Sequence, residues 1–265
     1  MRSRGLSLQW LAGLVLLAAA VTAGAHPEDE FCVPGEGGLD PALCQALSEL
    51  DSADTVASGA ILDAAGEPRS GWSTFGLYTT IGVGHILPAG LDHILFVLAL
   101  FLASTRARAL VIQISTFTVA HTVTLGLAAG GLIAPNPDIV EPIIAASIAF
   151  VAVENLVFND MPRWRPIVVF LFGLVHGMGF AGFFGELGLP KNQFLAGLLG
   201  FNVGVEIGQL SVVALAFIVS VGVRGWMTRA GSIDRYRRYV VMPLSLAIAA
   251  TGAWWAVQRT WAVLT

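Results

Sequence analysis

From Phe75 onward the apolar residues form long, nearly unbroken blocks rather than the stripe of a surface helix. The blocks cover residues 76–103, 109–131, 139–158, 166–188, 194–222 and 239–261. Each reaches the roughly 20 residues that a helix needs to cross a hydrocarbon core about 30 Å thick. The pattern predicts an all-α integral membrane protein with six transmembrane helices. The first block contains Pro88 and Gly90. It is expected to be broken there, because proline removes a backbone donor and clashes with the preceding turn.

An earlier apolar block, residues 8–21, is shorter. It follows Arg2 and Arg4 and precedes Ala23-Gly24-Ala25, the layout of a signal peptide cleaved after Ala25. An uncleaved signal anchor is the alternative. Cleavage would leave His26 at the mature N-terminus, where its α-amine and imidazole could clasp a metal ion as an entry site beside Glu28, Asp29 and Glu30. Residues 26–74 are hydrophilic, with ten acids and the single base Arg69, and read as an exported acidic segment ahead of the membrane domain at 75–265. Cys32 and Cys44, the only cysteines, fall in it. In an oxidising periplasm a disulfide is the simplest outcome, and a thiolate metal site is the alternative.

Composition agrees with the blocks: 55% of residues are hydrophobic, 12% are charged and the mean hydropathy is +0.75, which excludes an ordinary soluble domain. The net charge of −4 matters less than its sorting. Arg106 and Arg108, Arg163 and Arg165, and Arg224, Arg229, Arg235, Arg237 and Arg238 follow the first, third and fifth blocks, whereas the opposite connections offer only Lys191. Basic loops face the cytoplasm. The expected location is therefore the bacterial inner membrane, with the acidic segment and the C-terminus periplasmic. No nucleic acid partner is expected.

The blocks also carry Asp92, Glu141, Glu154, Glu186 and Glu206 with His85, His93, His121 and His176. A charged group at membrane depth costs roughly 2.5 kcal/mol or more, so such groups line a path or site and need a partner. No Lys or Arg is expected beside them, so an exogenous cation is the expected countercharge. At about 1.5 Å rise per residue, His85, Asp92, His93, His121, His176 and Glu206 share one central layer, with Asn202 a turn from Glu206. Glu154 and Asn155 lie toward the cytoplasm, and Glu141 and Glu186 toward the periplasm. Imidazoles with a carboxylate suit nickel, cobalt, zinc or copper(II). Thr118 and Thr122 could orient the His121 ring. The bland alternative makes each histidine a hydrogen bond between helices, and the glycines around His176 (173, 177, 179 and 182) packing residues.

The motifs resemble a known family. Residues 84–96 (GHILPAGLDHILF), 116–125 (TFTVAHTVTL), 140–155 with Glu-Pro and Glu-Asn pairs, 172–181 (FGLVHGMGFA) and 201–209 (FNVGVEIGQ) look, in order, like the HupE/UreJ family of hydrogenase and urease accessory membrane proteins. The resemblance implies a polytopic inner-membrane protein that passes nickel or cobalt, with the His/Asp-His element of the first span as its metal motif.

The expected function is thus a non-enzymatic permease for a divalent transition metal, moving from periplasm to cytoplasm through His85, Asp92, His93, His121, His176 and Glu206. Glu154, Asn155, Asn202 and Glu141 would form the secondary path. Two alternatives stand beside it. One is an intramembrane zinc hydrolase, although no HExxH pattern is present. The other is an assembly factor that hands its metal to a metalloenzyme or maturation partner.

Overall fold

The computed structural model describes residues 70–104, 106–158, 162–180, 193–228 and 233–264. The expected signal peptide, His26, the Cys32–Cys44 pair, Glu186 and Lys191 lie outside them. Everything described is helix, turn or short connection. The helices are α1 (Gly71–Ile86), α2 (Leu91–Ala103), α3 (Ala107–Ala129), α4 (Pro137–Val157), α5 (Arg165–Gly179), α6 (Phe194–Thr228), α7 (Ile233–Tyr236) and α8 (Met242–Leu264), with a π-helical turn at Arg237–Val241 leading into α8.

Local chemistry sets several of these boundaries. Ser70 caps α1 by accepting from the Ser73 amide at 3.2 Å. Asn136 caps α4 by accepting from the Asp138 amide at 2.9 Å, with Pro137 at the first helical position. Leu87, ahead of Pro88, is extended at φ −125° and ψ 113°, as the residue before a proline favours, and α1 ends there. α2 restarts after Gly90 at 72° to α1. The break expected in the first span is therefore present. Gly90 is required by close approach, since a Cβ on it would run into the His85 carbonyl oxygen.

Four segments are long and apolar enough to cross a membrane: α3, α4, α6, and the π turn with α8. The α1–α2 pair makes a fifth if the bent pair is one span. α5, at 15 residues, is shorter than a full crossing, and the chain after Phe180 is outside the described residues. Hydropathy therefore gives six blocks where the described helices supply four or five spans. The outer surface is consistent with lipid as the solvent. Val119, Ile139, Ile167, Leu215, Ile218 and Leu246 are each about 60% exposed on helix faces turned away from the core, as lipid-facing side chains are. Trp72 near the start of α1, Trp261 near the end of α8 and Trp164 at the start of α5 stand exposed close to helix ends, as interfacial tryptophans do.

Three helix pairs make most of the packing: α1 with α6, α4 with α8, and α3 with α5. α2 fits among them, against α4 and α6. Each pair closes on glycine. Gly204 of α6 lies against the Thr79 carbonyl of α1, Gly177 of α5 against the His121 carbonyl of α3, and Gly252 of α8 against Ala149 of α4. Lipid supplies no hydrophobic drive between helices, so this close backbone approach supplies the packing that holds them. Gly173 serves the same α3–α5 seam, Gly179 meets Ile144 of α4 instead, and Gly182 lies outside the described residues. Two aromatic and aliphatic cores result. One surrounds Phe96, Phe117 and Ile148, the other Tyr78, Phe201 and Val205.

Gly204→Leu should force α1 from α6 and cost about 1–3 kcal/mol as overpacking does. A lower melting temperature in detergent, with Gly204→Ala between wild type and Gly204→Leu, is the expected result.

Candidate metal centre

The bend makes the site. His85 lies in the last turn of α1 and His93 in the first turn of α2, so two histidines eight positions apart in sequence come together, with ring centroids 4.9 Å apart. α3 adds His121, whose ring lies 5.9 Å from that of His93. One nitrogen from each of His85, His93 and His121 falls within 4.8 Å of the others. An ion held at about 2.0–2.1 Å by each imidazole sets neighbouring nitrogens roughly 3–3.5 Å apart, so a modest closure would bring all three to bonding distance. Both nitrogens of His85 and Nε2 of His93 and His121 are buried without a hydrogen-bond partner. Buried imidazole nitrogens without partners are costly in a protein interior, and metal ligation is what such a set can do.

Hydrogen bonds to the far side of two rings orient them. Asn202 donates from Nδ2 to the Leu198 carbonyl at 2.8 Å, which turns its Oδ1 toward His121 Nδ1 at 2.9 Å. His121 therefore donates from Nδ1 and points the Nε2 lone pair into the cluster, the arrangement that positions a metal-binding histidine. His176 is arranged in the same way. Ser147 Oγ donates to the Ile144 carbonyl at 2.7 Å and accepts from His176 Nε2 at 3.0 Å, leaving Nδ1 buried with a free lone pair. The His176 ring stands 5.0 Å from that of His93, adjacent to the triad rather than within it. Phe96, Phe117, Phe180 and Phe201 pack around the four rings and keep water out.

The other expected residues are placed elsewhere. Asp92 is not one of the three clustered ligands; its Oδ2 accepts from Arg259 Nη1 at 2.9 Å, and its Oδ1 is buried without a hydrogen-bond partner. The Glu141 carbonyl accepts from the same nitrogen at 3.2 Å. Glu206 accepts from Ser115 Oγ at 2.6 Å across the α3–α6 seam. Glu154 lies 3.8 Å from Arg165 Nε, and both side chains are buried. Asn155 accepts from both terminal nitrogens of Arg165 at 3.2 Å and donates to the Ala99 carbonyl at 2.8 Å. Thr118 and Thr122 bond the backbone of their own helix, at Ile114 and Thr118. The orienter of His121 is Asn202.

Two bases correct the expectation that the acids have no basic partner. Arg259 lies within the last apolar block and reaches Asp92. Arg165, grouped by sequence with the loop arginines, is only 1% exposed and stabilises the Glu154–Asn155 pair. With Leu102, Phe158 and Arg237 this trio lines a small cleft at the end of the bundle where the arginine-bearing connections gather. Ser147 was not distinguishable in sequence from any other hydroxyl in an apolar helix. Its one signal is a seven-residue offset from Glu154, which puts both on one helix face.

These features define a multi-pass helical membrane protein with a buried histidine cluster at a helix break. A family model described as HupE / UreJ protein matches residues 62–259, and the chain belongs to that family. Comparisons with curated proteins and with solved structures give no match.

Removing the orienter should loosen the site without dismantling it. Asn202→Ala is expected to weaken metal binding about 10–100-fold, the usual effect of losing such a partner, in a calorimetric titration of protein that stays folded, with a melting temperature lowered by the loss of one buried hydrogen bond. Arg165→Leu should strand Glu154 in the interior and cost about 3–5 kcal/mol. Pairing it with Glu154→Gln should recover part of the lost melting temperature.

Proposed function

We propose that this protein carries a divalent transition-metal ion of the nickel or cobalt kind across the bacterial inner membrane, from periplasm to cytoplasm. The observation that carries the reading is the His85–His93–His121 triad: three imidazoles from three helices, each with a buried nitrogen that has no hydrogen-bond partner, and with one nitrogen of each within 4.8 Å of the others. Imidazole suits nickel, copper, zinc and iron, and the family points to the first of these. His176 extends the site on one side. Asp92 supplies the nearest carboxylate in sequence, and Glu206 and Asn202 line the α3–α6 seam. Glu141 and, at the processed N-terminus, His26 would receive the ion outside. Glu154 and Asn155 would pass it toward the arginine-lined end, which is the cytoplasmic face in this reading.

The site accounts for transfer without nucleotide hydrolysis. Imidazoles replace water ligands of the ion inside an aromatic shell, so the ion is never bare in the bilayer. A potential of about 100 mV, negative inside, favours entry of two charges by roughly 4.6 kcal/mol at about 2.3 kcal/mol each. A metalloenzyme or its maturation machinery is the receiver that such a supply implies.

Uptake into proteoliposomes tests this directly. Vesicles with an inside-negative potential should accumulate nickel or cobalt above protein-free controls, with zinc, copper and manganese as comparisons. His93→Ala and His121→Ala should each remove most of the flux. Flux equal to protein-free vesicles for every metal overturns the reading.

A further inference from the structure

Asp92 immediately precedes a histidine of the triad, yet one of its oxygens is occupied. Oδ2 accepts from Arg259 at 2.9 Å, while Oδ1 is buried with no hydrogen-bond partner. The Arg259 guanidinium is held on several sides. The same nitrogen donates to the Glu141 carbonyl at 3.2 Å, and the guanidinium carbon lies 5.6 Å from the centre of the Trp255 ring. It thereby ties α8 to α2 and α4 beside the site. Arg259 and Asp92 are only 13% and 20% exposed, so water screens the pair weakly.

We propose that Arg259 is a tethered counter-cation that holds Asp92 when the histidine site is empty and competes with the divalent ion for it. The argument is one of charge. Asp92 with Arg259 sums to zero, and a bound ion then adds two positive charges next to a fixed guanidinium. The ion receives part of the carboxylate through Oδ1, feels the repulsion of Arg259, and is held loosely enough to leave. Without Arg259 the full negative charge of Asp92 would turn to the ion, and the site would bind tightly and release slowly. Arg259 is in this sense a positioning residue: it sets how much of Asp92 the ion obtains. The inference rests on the transport reading for its purpose, but its binding consequence is separate.

The test uses the full chain, with Ni2+ and Co2+ as probes, in detergent for affinity and in proteoliposomes for flux. Arg259→Gln should bind about tenfold more tightly, within the usual range of coupling between two sites, and should move less metal at saturation. Arg259→Lys should stay close to wild type. Asp92→Asn combined with Arg259→Gln should abolish the gain. A folded Arg259→Gln protein that binds as wild type, or more weakly, overturns the proposal and leaves Arg259 a structural tie. Should that variant fail to fold, Zn2+ added to wild type with 15N-labelled arginine decides. The side-chain resonance that Asp92→Asn also moves should shift to saturation with one equivalent, and no shift overturns the proposal. Wild type that binds but carries no flux removes the transport reading, while the affinity change still tests the counter-cation.

Discussion

A helix that stops inside a membrane leaves amides and carbonyls unpaired, and lipid offers them nothing, so the break between α1 and α2 is the constraint on which the site depends. The chain meets it locally. The Leu87 amide donates to Val83 at 2.8 Å, that of Gly90 to Ile86 at 3.2 Å, that of Leu91 to Ala89 at 2.9 Å and that of Ile94 to Gly90 at 2.9 Å. These four bonds turn the chain while keeping their donors paired, and Pro88 has no donor to pair. With these amides paired, the 72° bend brings His85 and His93 together, one ring edge against the face of the other. A straight helix would have placed them on adjoining faces more than two turns apart.

The remaining helices hold that bend in place. α6 lies against α1 along Gly200, Gly204 and Gly208, and it also carries Asn202, so the approach that clamps α1 delivers the group that orients His121. α5 presses Gly173 and Gly177 onto α3 and brings His176 with it. Packing and chemistry therefore share the same seams, and a bulkier residue at one of these glycines would displace both.

Much of this was legible in the sequence, and the reason is local. Block lengths gave the helices, Pro88 and Gly90 gave the break, and uncompensated histidines in apolar blocks marked the cluster. The misread features depend on contacts across long stretches of chain. Arg259 meets Asp92 across 167 positions, and nothing in the local sequence pairs the two. Arg165 sits at a helix start beside Arg163, which is exposed, and only the fold shows that one turns inward and the other does not. Depth along a span places a residue in a layer. It does not choose which neighbour in that layer the residue faces, and so Glu206 meets Ser115 rather than the imidazoles.

The pairing of acids with arginines alters the electrostatic character of the interior. Were Asp92 and Glu154 both unpaired, a divalent ion would fall into a deep well, and a deep well suits storage. With each of these two acids opposite a guanidinium, part of its charge is neutralised, and the ligands gathered in one cluster are imidazole nitrogens, which bind a transition metal through lone pairs. In the proposed transport, selection would come from ligand chemistry more than from attraction to charge, since calcium and magnesium prefer oxygen ligands. An affinity set by three imidazoles, with a carboxylate only partly available, would suit the passage proposed above better than retention.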